Sequence, residues 1–490
     1  MGQRPATNLL IRLDPSARGA LQLQIYTGIR RAILEGVIEP GTRVPSSRAL
    51  ALDLGVSRTT TVLAIEQLLA EGYLTAQRGS GTFVARELPD DLGQTPASGS
   101  APELKHPPLS PRGAALAAIP PASRRLEGLP RAFRIGTPAL DLFPLRLWSQ
   151  LARRRLRSIG QAQLDYGDMA GLRALREAIA GQIRMRGTQC ETNQVLVVTG
   201  TQRGLELICH LLLEPGDQAW MEEPGFPGAR SALTVAGAQI VPVPVDADGM
   251  DVEAGARSAA GARLAFVTPS HQFPLGVPMS LPRRLALLRW ATSARAWVVE
   301  DDYDCEFRFG AHPIPCLHGL DVDSRVIYVG SFSKTLFPAL RLSFLILPPD
   351  LLPAARRAVG GQPPALDQAV LADFIAGGHF DRHIRRMRAA YLERLEALAA
   401  AAERFCGGAL TLRTVRTGLH VVADLVGADA ERVFAEAAAR GVELTPLSSY
   451  FADRASAANA LVLGFAAIGP DELQRGMGQL AAAIEAARRG

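Results

Sequence analysis

Among the 53 lysines and arginines of this 490-residue chain, only Lys105 and Lys334 are lysines. A sequence that supplies plain positive charge with arginine needs a chemical reason to place a lysine inside residues 326–347, VIYVGSFSKTLFPALRLSFLIL. Arginine stays protonated, whereas a desolvated lysine can lose its proton and become a nucleophilic amine that forms a Schiff base with a carbonyl. The turn that precedes it, Gly330-Ser331-Phe332-Ser333, offers N–H and O–H groups to a phosphate, and Arg341 can add a bidentate clamp. An aldehyde-reactive amine beside a phosphate cradle points to pyridoxal phosphate. Lys105, next to His106 and Pro107, has no apolar setting and is a poor candidate for the same chemistry.

Elements that must position such a site follow from apolar runs that alternate between strand and helix periods: residues 195–198, 205–213, 264–267, 281–290, 297–299 and 326–329. Alternation of this kind predicts an α/β sheet with crossover helices, whose ligands gather at the carboxyl ends of the strands. Thr199-Gly200-Thr201-Gln202 follows one strand and opens a helix whose first amides can take a phosphate. Glu300-Asp301-Asp302-Tyr303 follows another, and supplies a carboxylate for a pyridine nitrogen and a phenol for the cofactor's phenolic oxygen. Phe226, after Pro224-Gly225, is a flat apolar group able to stack on the ring.

The first part of the chain has a different pattern. Leu21, Ile25, Ile29 and Ile33 make one helical stripe. Pro40-Gly41 then breaks the chain, Ser46 or Ser47 caps a second helix to Leu54, and Ser57 caps a third to about Glu71. Val62, Ile65 and Leu69 are expected to bury one side of that third helix. Arg58, Thr59 and Thr60 then sit at its exposed start, where a recognition helix meets base edges. Residues 73–84 read as two strands joined at Arg78-Gly79-Ser80-Gly81, a wing that can approach a DNA backbone. Arg43, Arg48, Arg58 and Arg78 gather positive charge at one tip. Residues 87–130, rich in Pro, Gly, Ser and Ala, read as a flexible tether.

A net charge of +5 is small for this length, and 21% charged with 48% hydrophobic residues is ordinary for a globular protein. Five cysteines without C-x-x-C spacing favour reduced thiols over a disulfide framework or a zinc site. The first residues show no signal-peptide core, and no long apolar run suggests a membrane span, so a cytoplasmic location is expected.

Residues 39–84, EPGTRVPSSRALALDLGVSRTTTVLAIEQLLAEGYLTAQRGSGTFV, resemble the winged helix of GntR-family regulators. That resemblance implies DNA contacts by Arg48, Arg58, Thr59, Thr60 and the wing at Gly79, Ser80 and Gly81, alongside Arg43, Ser57 and Arg78. From residue 135 onward TPSHQFPLG, EDDYDCEFR and GSFSKTLFPALRLSFLILP resemble fold-type I aminotransferases, and the whole chain is similar to MocR/GabR-type regulators. The fold class implied is α/β: an N-terminal winged helix-turn-helix (1–86), the tether (87–130), and an aminotransferase-like body (131–490) with a large α/β domain and a smaller α+β C-terminal domain.

The resemblance further implies Lys334 bonded to pyridoxal 5′-phosphate, Asp301 on the ring nitrogen, Tyr303 on the phenolic oxygen and Phe226 stacked. Thr201, Gln202, Ser331, Ser333 and Arg341 hold the phosphate, with Tyr166 reaching it from a partner subunit. His271 or Gln272 stands near the asparagine of aminotransferases. The implied assembly is a homodimer with exchanged DNA-binding modules, responding to an amine, an amino acid or pyridoxal phosphate itself. Physiological transamination is the alternative function. One departure bears on it: Val462 occupies the place of the arginine that grips a substrate carboxylate, with Arg413 or Arg416 as possible substitutes.

Overall fold

The structure is a computed structural model that describes residues 11, 13, 21–77, 79–89, 108–119, 128–161, 164–310, 314–413 and 417–489. It divides into two compact units, Met1–Pro108 and Leu109–Gly490.

In the first unit, α1 (Leu21–Leu34) buries Ile25, Ile29 and Ile33, the stripe read from the sequence. After β1 (Arg43–Val44), the Ser46 hydroxyl accepts the Ala49 N–H and caps α2 (Ser47–Leu54), which Gly55 ends in the left-handed conformation at φ 64°. Ser57 accepts the Thr60 N–H and caps α3 (Arg58–Ala70). The buried face of α3 is Thr61, Ala64, Ile65 and Leu68, so the expected face of Val62, Ile65 and Leu69 is corrected by about one position. Thr61 is the cause: its hydroxyl donates to the Ser47 and Arg58 carbonyls at 2.9 Å each, which lets a polar side chain sit in the core. β2 (Leu74–Gln77) and β3 (Gly81–Val84) pair antiparallel from Leu74↔Val84 to Gln77↔Gly81 and form the wing, with β1 on the other side of β3. Arg78 lies outside the described residues.

The second unit opens within the stretch read as tether. Ser110 accepts the Gly113 N–H and Pro111 occupies the first turn of α4 (Pro111–Ala117), a short helix in place of unstructured chain. Lys105 lies outside the described residues. The body continues with α5 (Leu145–Ser158), α6 (Arg173–Met185), β4 (Val195–Val198), α7 (Thr201–Leu212), β5 (Gln218–Glu223), α8 (Pro227–Ala236), β6 (Gln239–Asp246), β7 (Gly249–Met250), α9 (Val252–Ala259), β8 (Leu264–Val267), α10 (Leu281–Ala294), β9 (Trp297–Asp302), α11 (Leu317–Leu320), β10 (Val326–Ser331) and β11 (Ser343–Ile346). These strands form one sheet in the order β4-β11-β10-β9-β8-β5-β6-β7. Neighbours from β10 to β6 run parallel, while β11 runs antiparallel to both β10 and β4. β4, β8 and β11 are buried at every residue, as apolar strands covered by helices on both faces must be.

After α12 (Leu352–Ala358) and α13 (Ala365–Ala376), the 28-residue α14 (His379–Cys406) leads to a smaller antiparallel sheet. Its strands are β12 (Leu410–Arg413), β13 (His420–Leu425), β14 (Thr445–Pro446) and β15 (Ala460–Gly464), in the order β12-β13-β15-β14. α15 (Ala430–Ala439) and α16 (Pro470–Arg489) pack with it, and Phe133 bridges to Gly464, tying the start of the body to this sheet. No described helix is long and apolar enough to cross a membrane.

Candidate cofactor site

The site forms where β4, β9 and β10 end and β11 begins. Antiparallel insertion of β11 sets Ser343 opposite both Ser331 and Val198. Its hydroxyl donates to Ser331 Oγ at 3.3 Å and lies 3.3 Å from Thr201 Oγ1. The Ser333 N–H donates to Ser331 Oγ at 3.2 Å. α7 begins at Thr201, directly after Gly200 at φ 91°, so its free amides face the same place. Arg341, itself left-handed at φ 51°, turns its guanidinium onto that corner: a Cβ at Gly200 would lie 3.0 Å from Arg341 Cζ. Phe226 and Gln202 converge over Gly228, where a Cβ would come within 2.4 Å of the ring and 2.8 Å of the amide oxygen. Hydroxyls, amides and a guanidinium around one small volume make an anion cradle.

Lys334 lies in the loop between β10 and β11, and its Nζ donates to the Gly136 carbonyl at 2.7 Å. Gly136 is left-handed at φ 69°, and a Cβ there would meet Nζ at 2.6 Å. Asp301 is 3% exposed, and its Oδ1 has no hydrogen-bond partner among the described residues. Burial pushes its carboxyl up to about 8, with Asp302 and Asp304 adding to the rise and Lys334 opposing it.

The Tyr303 hydroxyl donates to the His271 carbonyl at 2.9 Å and lies 3.0 Å from His271 Nδ1, which is also 3.0 Å from Asp304 Oδ2. Burial, then Asp304, hold the Tyr303 phenol well above its ordinary range, so it remains a hydrogen-bond donor. His271 and Gln272, between which the sequence left the choice open, face different partners. His271 touches Tyr303, while Gln272 Nε2 donates to Glu222 Oε2 and to the Pro224 and Phe273 carbonyls. His420 stands 5.0 Å from His271 ring to ring, and burial holds its pKa down near 3, with His271 and Lys334 pushing the same way.

Val462 is fully buried in an apolar cluster with Val422, Leu447, Tyr450 and Ala460, against which Ile135, Phe273, Leu275 and Phe451 pack. Arg413 is engaged by Asp424 through two hydrogen bonds of 2.9 and 2.6 Å, and Arg416 lies outside the described residues. Tyr166 stays apart from the cluster, 92% exposed. In the other unit Arg43, Arg48, Ser57, Arg58, Thr59 and Gly79 are exposed, with Thr60, Ser80 and Gly81 partly so. A Cβ on Gly81 would meet Arg43 Nε at 2.8 Å, which places that guanidinium against the wing.

These residues fit pyridoxal phosphate. A protonated pyridine nitrogen is the donor that the bare Asp301 oxygen lacks, the cradle suits a phosphate, and Lys334 supplies the amine. Ser343 and Asp304 escaped sequence reasoning. A serine in the apolar run LRLSFLIL was the available signal for the first, and nothing in the sequence paired the second with His271.

Residues 135–476 match the family described as aminotransferase class I and II, and residues 21–84 match the bacterial regulatory proteins of the gntR family. The chain is 41% identical over 482 residues to the probable rhizopine catabolism regulatory protein MocR of Rhizobium meliloti, covering 97% of this chain and 96% of the relative. It is 31% identical to the pyridoxine biosynthesis transcriptional regulator PdxR of Corynebacterium glutamicum, covering 97% and 99%. Among solved structures it is similar to LysN, the α-aminoadipate aminotransferase of Thermus thermophilus complexed with N-(5′-phosphopyridoxyl)-L-leucine. There the TM-score is 0.66 at 30% identity, over 72% of this chain and 92% of that one. The regulators match it end to end and the enzyme matches only the body. The chain belongs to the MocR-type transcription regulators, a gntR-family DNA-binding module joined to a class I and II aminotransferase-like domain whose cofactor is pyridoxal 5′-phosphate.

Proposed function

We propose that the body senses a small amine through pyridoxal phosphate and that the winged helix reads promoter DNA accordingly. In this reading Lys334 bonds the aldehyde, Asp301 receives the ring N–H, Tyr303 turns its O–H from the His271 carbonyl to the phenolic oxygen, and Phe226 covers the ring. Thr201, Gln202, Ser331, Ser333, Ser343 and Arg341 hold the phosphate. When bound, the cofactor supplies an electrophilic carbon that an amine can take in competition with Lys334 Nζ. The observation that carries the reading is the buried, unpartnered Asp301 Oδ1, which a protonated pyridine completes. Val462 in its apolar cluster weighs against amino-acid turnover, because it gives a substrate carboxylate no cation at the place of the aminotransferase arginine.

The DNA contacts in this reading are Arg43, Arg48, Ser57, Arg58, Thr59, Thr60, Arg78, Gly79, Ser80 and Gly81, on a module spanning 1–86 that the tether joins to the body. A homodimer is favoured by the apolar exposure of Leu164 (74%), Tyr166 (92%) and Met169 (41%) on one stretch, since such surface normally meets a partner. Tyr166 then reaches the phosphate of the partner's site. The test combines absorbance with DNA binding. Purified protein should show the visible band of lysine-bound cofactor, Lys334→Ala should lose it, and promoter affinity should change when an amine is added to the cofactor-loaded dimer but not to the cofactor-free one. An unchanged spectrum in Lys334→Ala removes the reading.

A further inference from the structure

Asp301 and Asp302 follow one another on β9, so their side chains leave opposite faces of the sheet. Val329, the register partner of Asp301, packs in the core under α7 and α8, whereas Tyr328 packs in the core under α6 and α14. Tyr328 donates to Asp302 Oδ2 at 2.6 Å, which puts Asp302 on the face away from the cofactor cradle. On that face lies a cavity of about 760 Å³, bounded by α6, the segment after β9 and the start of α14.

Its lining is unevenly satisfied. Asp302 is 6% exposed: Tyr328 holds its Oδ2, the Cys305 thiol is a weak donor beside the carboxylate, and Oδ1 has no N–H or O–H partner among the described residues. Arg186 and Glu306 neutralise each other through a 2.5 Å ion pair, and Arg186 Nη1 also donates to Cys305 Sγ at 3.2 Å. Arg308, half-buried, and Arg385, at the exposed rim, have no side-chain hydrogen bond or ion pair among the described residues. One cavity therefore presents a bare carboxyl oxygen and bare guanidinium groups that do not satisfy each other. Its volume is far beyond the ~30 Å³ share of a single water. Buried polar atoms left in this state cost stability until a ligand or water meets them.

We infer that this cavity is a second ligand site, separate from the cofactor, for a small zwitterion that places an N–H-bearing cation on Asp302 and its anionic group on Arg308. The ammonium donates to Oδ1 while Tyr328 keeps Oδ2, and Arg308, with Arg385 at the mouth, takes a carboxylate or similar anion in charge-assisted hydrogen bonds. Neighbouring positions on one strand couple this site to the other. Asp302 raises the Asp301 carboxyl, so a cation on Asp302 weakens that push and favours ionised Asp301.

The experiment uses the full-length, cofactor-loaded protein and N,N-dimethylglycine, a zwitterion with one N–H that cannot condense with an aldehyde. Titration calorimetry should give saturable binding of one molecule per chain. Asp302→Asn and Arg308→Gln should each weaken it about tenfold or more, the loss expected for a hydrogen bond to a charged group. Trimethylglycine, which lacks the N–H, should bind more weakly by a similar factor. Lys334→Ala should keep saturable dimethylglycine binding, changed by no more than the few-fold that coupling between the two sites allows. Absence of saturable binding means that water alone fills the cavity, and it overturns the assignment. So does binding that Lys334→Ala abolishes while Arg308→Gln leaves it unchanged, because the probe then occupies the cofactor site. Arg308 is only half-buried, so its variant remains informative if Asp302→Asn fails to fold.

Discussion

Replacing Asp301 by asparagine tests whether the structure describes the electrostatics of the cofactor site. In the cofactor-free protein the Asp301 carboxyl is pushed up to about 8, first by burial, from the ordinary 3.8. Above pH 4 the unfolded chain releases this proton while the native state keeps it until about pH 8. The native state therefore binds more protons across that window, and stability falls as pH rises. The contribution is complete below pH 4 and is lost progressively up to pH 8. At about 1.36 kcal/mol per pH unit, the loss between pH 4 and pH 7 is about 4 kcal/mol. Glu222 and Glu300, each pushed up to about 7 by burial, add slopes of the same sign, but both variants share them. The buried amide of Asp301→Asn adds an offset that does not depend on pH, so the difference in slope isolates Asp301.

Fluorescence makes the measurement selective. All four tryptophans, Trp148, Trp220, Trp290 and Trp297, lie in the body, so denaturant unfolding followed through them reports that unit without the winged helix. Between pH 5 and pH 8 the cofactor-free wild type should lose stability faster than Asp301→Asn by about 1 kcal/mol per pH unit. Loading with pyridoxal phosphate should reverse the ranking: the variant should hold the cofactor about a hundredfold less tightly, as when one partner of a buried charge pair is removed. Parallel stability curves for the two proteins from pH 5 to pH 8 would refute the burial argument and, with it, the assignment of Asp301 to the ring nitrogen.

Three further outcomes are expected. Arg58→Ala should make the slope of log affinity for promoter DNA against log salt shallower by about 0.9, the signature of one lost phosphate contact; an unchanged slope removes Arg58 from the interface. Gly418→Ala would force a left-handed alanine (φ 73°) and set its Cβ 1.9 Å from His271 Cε1, so thermal unfolding should show a loss of about 2 kcal/mol or more, together with a shifted cofactor absorbance as Tyr303 loses its histidine. A primary amine and its α-carboxylated counterpart should alter DNA affinity at concentrations within about tenfold of each other, because Val462 offers the carboxylate nothing; a preference above about a hundredfold for the acid would show that another cation grips it.

Much of this was legible because burial writes itself into apolar spacing. Ile25, Ile29 and Ile33 declared the face of α1, and the run VLVV declared a strand covered on both sides. Lys334 stood out because arginine supplies nearly all other positive charge. What stayed hidden depends on partners distant in sequence. Thr61 reads as polar and is buried, because its hydroxyl finds the Ser47 carbonyl, and the face of α3 turns accordingly. The helix α4 was masked by the Pro- and Gly-rich company it keeps, although Ser110-Pro111 carried a start signal. Strand order cannot be read from periodicity, and without it Ser343 had no reason to meet Thr201 and Ser331. Residues 300–302 read as following the strand and belong to the strand itself, which sends Asp301 and Asp302 to opposite faces of the sheet.

The strand order also divides the labour of sensing. Val198, Ser343 and Ser331 stand in one row across β4, β11 and β10, and Lys334 occupies the loop whose two ends that row pins. Phosphate anchors, lysine and Asp301 thus belong to a single sheet, whose register fixes their spacing. The opposite wall is built elsewhere: Val462 and His420 come from the small sheet, and residues 131–136 reach the site from a segment bridged to β15. The hydrogen bond from Lys334 Nζ to the Gly136 carbonyl joins the two halves, and an amine that displaces Lys334 from the aldehyde changes what that nitrogen can offer Gly136. A ligand shifts a conformational equilibrium only through contacts that differ between the states. In the proposed function, the Lys334–Gly136 contact is the place where occupancy of the aldehyde reaches the segment bridged to the small sheet.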